Sequence, residues 1–360
     1  MKKLLKLLVA FSMCATLAAC SSSDESSDSD DGTAKLALIT DTGSVTDKSF
    51  NQSAYEAIEA FGEENGISYK YYKPADTDTA GLYETIEQAI DNGAELIVTP
   101  GFNFHAAVYQ AQEDYPDVKF VIIDTAPYTE DDASDTYVAD NTIVYLFQEN
   151  ESGYAAGYAL VKEGYTSLGF MGGMAGSAVM NYGVGYLQGA SDAAVELGVD
   201  VEILYHYTGT YSESPEIKTL SDSWYTSGTE VIFSCGGSIC NSVFASAEEN
   251  DALTVGVDTD QSDESETVLT SALKDVYGAT YEALEAYLAD SFEGGQTVVK
   301  SNCGGCVYDS EKFSNFTEDD YNALIEAIEE GSIDLYTYED INEDGDPTNI
   351  DFPNVTVNYE

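Results

Sequence analysis

The chain has 360 residues, of which 66 are acidic and 13 basic, for a formal charge of −53. A field of that sign repels nucleic acid and anionic membrane surfaces, which removes both as partners of the folded body. Every basic residue is lysine; without arginine's planar fork, bidentate capture of a carboxylate or phosphate is disfavoured and a neutral polar ligand fits better.

The N-terminal segment carries Lys2, Lys3 and Lys6, an apolar run from Leu4 to Leu17, and then Ala18-Ala19-Cys20 followed by serines. A cationic start, a short apolar run and a small-residue cut site predict a secretory signal peptide over residues 1–19 rather than a membrane span. The cysteine at the cut is the signature of a bacterial lipoprotein. Cleavage before Cys20 leaves its thiol to carry lipid, palmitate included, so the mature chain is expected outside the cytoplasm, tied to the cell membrane by that anchor alone. Residues 20–34 read as a lipidated cysteine and an extended acidic linker, because Ser21 to Thr33 offer no apolar side chain to bury.

From Lys35 onward, short apolar strands alternate with helical segments. Strands are predicted over 35–41, 67–72, 96–100 and 120–124, with helices over 49–64, 80–92 and 104–113 between them. The rhythm restarts with helices over 151–162, 178–197, 215–225 and 238–249 around strands 168–171, 201–205 and 230–234. Two late strands, 253–258 and 267–273, precede a helix over 276–287. Continuous apolar strands with crossover helices mean parallel sheets covered on both faces. The expectation is an α/β protein of two doubly wound lobes joined by several crossings, with a cleft between. The first lobe is expected to span 35–140 plus 253–300, the second 141–252 plus 301–330, and 331–360 to be an acidic C-terminal extension.

In open parallel sheets ligands bind beyond the carboxyl ends of the strands. Asp41, Asp124 and Asp258 each end an apolar strand, so they are expected to face that cleft and to accept hydrogen bonds from ligand hydroxyls. Asp47 and Ser49 suit the cap of the helix that follows them. Only two histidines occur, His105 and His206; with no second histidine at ligand spacing and no GxSxG serine, zinc hydrolysis and triad chemistry lack their parts. A non-enzymatic role without cofactor is expected.

The run Asp41-Thr42-Gly43-Ser44-Val45-Thr46-Asp47-Lys48-Ser49-Phe50-Asn51-Gln52-Ser53 resembles the opening motif of the basic membrane protein family, substrate-binding lipoproteins of ABC importers that include the purine nucleoside receptors. The likeness continues through Glu149-Asn150-Glu151-Ser152-Gly153-Tyr154-Ala155-Ala156-Gly157, Gly169-Phe170-Met171-Gly172-Gly173, Tyr207-Thr208-Gly209-Thr210-Tyr211 and Gly256-Val257-Asp258-Thr259-Asp260-Gln261, covering roughly residues 35–330. It implies a fold of the type I periplasmic-binding-protein kind, a nucleoside as ligand, an ABC permease as partner and a monomer. By the same resemblance Phe50 stacks on one face of a purine, Tyr211 covers the other, and Asn51 and Asp41 read the base edge. Asp258 and Lys274, with Asp124 and Glu149 nearby, hold the sugar. A receptor for a sugar or another neutral metabolite is the competing reading.

Four cysteines remain beyond the anchor: Cys235, Cys240, Cys303 and Cys306. Outside the cytoplasm they are expected to form disulfides, with free thiols or a metal or redox centre as alternatives. Asp340, Asn342, Asp344 and Asp351 match the spacing of a calcium loop, against which stand Pro347 within it and an acidic surface turn as the simpler account.

Overall fold

The computed structural model describes residues 33–301 and 305–360. The signal segment, Cys20, most of the linker and Cys303 lie outside the described residues. Chain order runs β1 (Leu36–Ile39), α1 (Phe50–Asn65), β2 (Tyr69–Tyr72), α2 (Thr79–Asp91), β3 (Leu96–Pro100), α3 (His105–Asp114), β4 (Lys119–Ile123), a hairpin of β5 (Tyr128–Thr129) and β6 (Asp132–Thr136), and β7 (Thr142–Phe147). The second set is α4 (Glu149–Glu163), β8 (Ser167–Gly172), α5 (Ser177–Leu197), β9 (Val201–Tyr207), α6 (Pro215–Ser227), β10 (Val231–Cys235), α7 (Ile239–Asn250), β11 (Leu253–Asp258) and β12 (Val268–Leu273). It is followed by α8 (Val276–Leu288), β13 (Gln296–Lys300), α9 (Glu318–Glu329) and β14 (Val355–Tyr359).

Two six-stranded parallel sheets result, ordered β13-β7-β4-β3-β1-β2 and β12-β11-β10-β8-β9-β14. Alternate residues of one strand feed opposite cores, as the two-residue period of a strand requires. Leu36 and Leu38 pack with Ala54, Ile58 and Phe61 of α1 and Ala283 of α8, whereas Ala37 and Ile39 pack with Leu82 and Ile86 of α2 and Ala107 and Val108 of α3. The second sheet is sandwiched the same way, Phe170 facing α4 and α5 and Met171 facing α6 and α7.

Strand pairing moves the expected lobe boundaries. β11 and β12 belong to the second sheet, beside β10, and β7 belongs to the first, beside β4. Each lies next to the strand that precedes it in its own unit, the short-connection rule of doubly wound sheets. Of the block 253–300, only α8 and β13 return to the first lobe. Residues 331–360 are not an appendage either, since β14 pairs with β9 from Val355 opposite Val201 to Tyr359 opposite Tyr205 and closes the sheet edge.

Among the described residues, the chain passes between lobes after β7, after β12 and after β13, and the flanking residues of these passages lie side by side. Gln148 N donates to Lys300 O at 3.0 Å, Ser152 Oγ to Leu273 O at 2.7 Å, and Leu273 N to Gly305 O at 2.9 Å. Helices α4 and α5 approach at backbone distance. A Cβ on Gly153 or Gly157 would stand 2.1 Å from the carbonyl oxygen of Tyr182 or Tyr186, and one on Gly189 2.0 Å from that of Tyr154.

Cys235, Cys240 and Cys306 are buried free thiols, so the expected disulfides among them are absent. Cys235 ends β10, Cys240 lies in α7, and Cys306 bridges to Ala272 on β12. The calcium-loop candidate is a capped turn. Asp340 accepts from Thr337 N at 2.8 Å, Asp344 Oδ1 accepts from Asp346 N at 3.3 Å, and among the described residues no group of three His, Cys, Asp or Glu side chains is placed to hold a metal. His105 stacks on Tyr128, and His206 Nδ1 lies 3.0 Å from Glu360 O.

Candidate functional site

The carboxyl ends of the two sheets face a common cleft that encloses about 650 Å³ and is partly open to solvent. Asp41, Asp47, Phe50, Asn51, Phe102 and Asp124 line it from the first lobe. Ser177, Val179, Tyr182, Tyr211, Cys235 and Asp258 line it from the second, with Lys274 at the crossing between them. Seven of the eight residues singled out in the sequence thus share one space, and Glu149 sits directly behind Lys274.

Besides Tyr182, three aromatic side chains line it. Phe50 opens α1, Phe102 follows Gly101 beyond β3, and Tyr211 lies on the loop after β9. The ring of Tyr211 occupies room that two glycines leave: a Cβ on Gly173 would stand 2.4 Å from its Cε1 and one on Gly236 2.9 Å from its Cδ1. The Cβ position of Gly176 is 3.6 Å from Phe102 Cδ1 and 4.0 Å from Tyr211 Oη, so the rings of opposite lobes approach one point.

Lys274 is the electrostatic centre. Its Nζ lies 2.6 Å from Asp124 Oδ2 and 2.9 Å from Glu149 Oε1, with its side chain only 2% exposed. Phe50 and Phe147 present ring faces 4.9 and 5.1 Å from the same ammonium, which favours a cation in so dry a place. Burial alone would discharge Lys274, but Asp124, Glu149 and Asp258 outweigh it and hold the pKa above the ordinary lysine value. Burial pushes Asp124 up to about 7, against the pull of Lys274. Its second oxygen, Oδ1, is buried with no hydrogen-bond partner. An unpartnered carboxylate oxygen of this kind is costly unless something donates to it.

The opening motif forms a second polar cluster. Asn51 Nδ2 donates to Asp41 Oδ1 at 3.0 Å and to Asp47 Oδ2 at 2.9 Å, while Asn51 Oδ1 accepts from Asp41 N at 3.3 Å. Both amide hydrogens are therefore committed to holding the two carboxylates, not directed at the cleft. Asp47 caps α1 by accepting from Asn51 N at 3.0 Å and Gln52 N at 3.1 Å. Burial raises Asp41 to about 6, only partly offset by hydrogen bonds from Gly43 and Asn51.

Ser49 does not cap α1 with its side chain; its hydroxyl crosses the cleft and donates to Asp258. Tyr182 donates to the other oxygen of Asp258 at 3.1 Å. Nearby, Gln261 Nε2 donates to Lys48 O at 2.7 Å and Lys48 Nζ pairs with Glu264 at 3.2 Å, so the first lobe's opening loop is clasped to the second lobe.

Residues 34–335 match the family described as ABC transporter substrate-binding protein PnrA-like. The chain belongs to this family. Among relatives of the PnrA-like fold, the ABC transporter nucleoside-binding protein BmpA of Lactococcus lactis subsp. cremoris is 30% identical over 320 residues, 82% of this chain and 86% of its own length. Basic membrane protein B of Borreliella burgdorferi is 27% identical over 274 residues, 73% of this chain and 77% of its own. A solved ABC transporter solute-binding protein from Aeropyrum pernix superposes with a TM-score of 0.69 at 23% identity, covering 83% of this chain and 87% of that one, a likeness of fold.

Phe102, Asp47, Tyr182 and Cys235 line the cleft and Ser49 bonds to Asp258 within it, none of them assigned to the cleft by the sequence reading. Phe102 carries a usable signal, because it follows a buried strand just as Asp41 and Asp124 do. Tyr182 carries none: a tyrosine inside an apolar helix reads as core. Chemically, the arrangement offers flat apolar faces for a ring, carboxylates for hydroxyl or amino donors, and one buried ammonium.

Proposed function

We propose that this chain is a lipid-anchored, extracytoplasmic receptor that captures a purine nucleoside in the cleft and delivers it to an ABC permease. The observation that carries the reading is Asp124 Oδ1, a buried acceptor without a donor, in a cleft whose other walls are the rings of Phe50, Phe102 and Tyr211. A base between those rings excludes water from both of its faces, and a ribose hydroxyl satisfies the orphaned oxygen. The nucleoside-binding name of the Lactococcus relative and the family's transporter role support the same reading. The anchor rests on the Leu17-Ala18-Ala19-Cys20 motif; incorporation of labelled palmitate that persists in a Cys20→Ala variant overturns it.

Titration calorimetry of the mature domain with inosine, guanosine, adenosine and a set of free sugars tests the ligand. Micromolar or tighter binding of a purine nucleoside is expected. Heat only with sugars, or with nothing in the set, overturns the assignment.

A further inference from the structure

Residues 336–360 lie beyond the family match, yet they reach the cleft's ion cluster through an unbroken line of hydrogen bonds. Tyr338 N donates to Asn181 Oδ1 at 2.8 Å, and Asn181 Nδ2 donates to Glu149 Oε2 at 3.0 Å. The other oxygen of Glu149 pairs with Lys274, and Lys274 with Asp124. Around these links the tail is fastened at several points. Asn150 Nδ2 donates to Tyr336 O at 2.9 Å, Tyr336 N to Gln188 Oε1 at 2.9 Å, and Ser191 Oγ to Pro353 O at 2.7 Å. Gly345 lies against Tyr207 and Ala175, next to the stretch Gly176–Val179 that forms the second lobe's cleft wall.

We infer that the C-terminal segment is a working part of the binding site, and that Asn181 is the positioning residue through which it fixes Glu149, and thereby Lys274, in the cleft. The chemistry supports this over mere edge protection of the sheet. A buried carboxylate shared between an ammonium and an amide keeps one orientation only if the amide is itself held, and among the described residues the backbone donor on Asn181 Oδ1 is Tyr338 N. The edge of the sheet is already covered by β14, a separate stretch of the tail. The inference rests on the cleft being the ligand site, as proposed above.

The test exploits Tyr338 being the first residue of a short 3-10 turn, where a missing N–H and a fixed φ suit proline. Thr337 before it is extended, which a following proline accepts. Tyr338→Pro removes the single donor while leaving β14 in place, and Tyr338→Ala controls for loss of the exposed ring. In the ligand-free protein, the Asn181 side-chain amide and Glu149 carboxyl NMR signals are expected to shift in Tyr338→Pro and to match wild type in Tyr338→Ala. Titrated with inosine, guanosine and adenosine, Tyr338→Pro is expected to bind roughly five- to tenfold more weakly with an unchanged melting temperature, and Tyr338→Ala as wild type. Unmoved NMR signals in Tyr338→Pro, or unchanged affinity despite moved signals, overturn the inference. Should wild type bind no nucleoside, the ligand assignment fails, and the NMR comparison decides this inference by itself.

Discussion

Asp124 and Asp258 occupy matching places in the two lobes, each at the carboxyl end of the fourth strand of its own unit, β4 beside β3 and β11 beside β10, with φ of 71° and 66°. Aspartate tolerates this left-handed backbone better than most residues, and it turns both carboxylates out of their sheets toward Lys274. The two halves of the molecule therefore each place a strand-end carboxylate in the field of one cation. A ligand hydroxyl that donates to Asp124 Oδ1 completes the first-lobe copy, as Ser49 and Tyr182 complete the second.

Removing a ring should weaken the ligand without disturbing the fold. Phe50→Ala and Tyr211→Ala are each expected to cost about 1–3 kcal/mol in nucleoside binding, read by calorimetry, with Phe102→Ala somewhat less. Equal affinity in all three variants would separate the aromatic walls from recognition.

Acidity should stabilise the free protein through Asp41. Its folded pKa, about 6, stands above the ordinary carboxylate value, so the folded state binds the proton more tightly than the unfolded one. The associated stability is complete below about pH 4 and is lost as pH rises through about 6, a loss of about 3 kcal/mol by neutral pH. Asp41→Asn is expected to flatten this slope. Melting temperatures of the two proteins between pH 4 and 8 check it, and parallel curves would refute it.

Lys274→Met should be among the most damaging single changes. It leaves Asp124, Glu149 and Asp258 facing one another in a dry site, at a cost of about 3–5 kcal/mol at neutral pH. Because Asp124 already takes up a proton near neutrality, the deficit should shrink as pH falls toward 5, and chemical denaturation at both pH values measures it.

Gly157→Ala tests the α4–α5 contact away from the cleft. Its new Cβ meets the Tyr186 carbonyl at 2.1 Å, so the helices must part, and a loss of about 1–3 kcal/mol is expected from thermal melting, with nucleoside affinity of the folded fraction preserved.

Much of the architecture is legible in the amino-acid pattern. Parallel sheets follow from runs such as Leu36–Ile39 and Phe120–Ile123, buried on both faces, and the cleft residues follow from the strand-end rule for Asp41, Asp124 and Asp258. What the pattern leaves open is decided by pairing at a distance. Whether Leu253–Asp258 joins the first or the second sheet depends on neighbours that periodicity does not name. The glycines of the Glu149–Gly157 motif read as a family mark, although their work is to let two helices touch. Cys235, Cys240 and Cys306 suggest covalent bonds because compartment and count favour them, while the fold buries all three as free thiols.

The glycine seam between α4 and α5 has a mechanical corollary. Glu149 is the first residue of α4, and α4 travels with α5; Glu149 and Asn181 must then move as one solid piece, while Asp124 is carried by the opposite half. Any swing that widens the mouth is taken up at Gln148 and its neighbouring strands, and it pulls on Lys274 to Asp124, on Ser49 to Asp258 and on Lys48 to Glu264. Loading and unloading of cargo would thus be felt as the making and breaking of these bridges together.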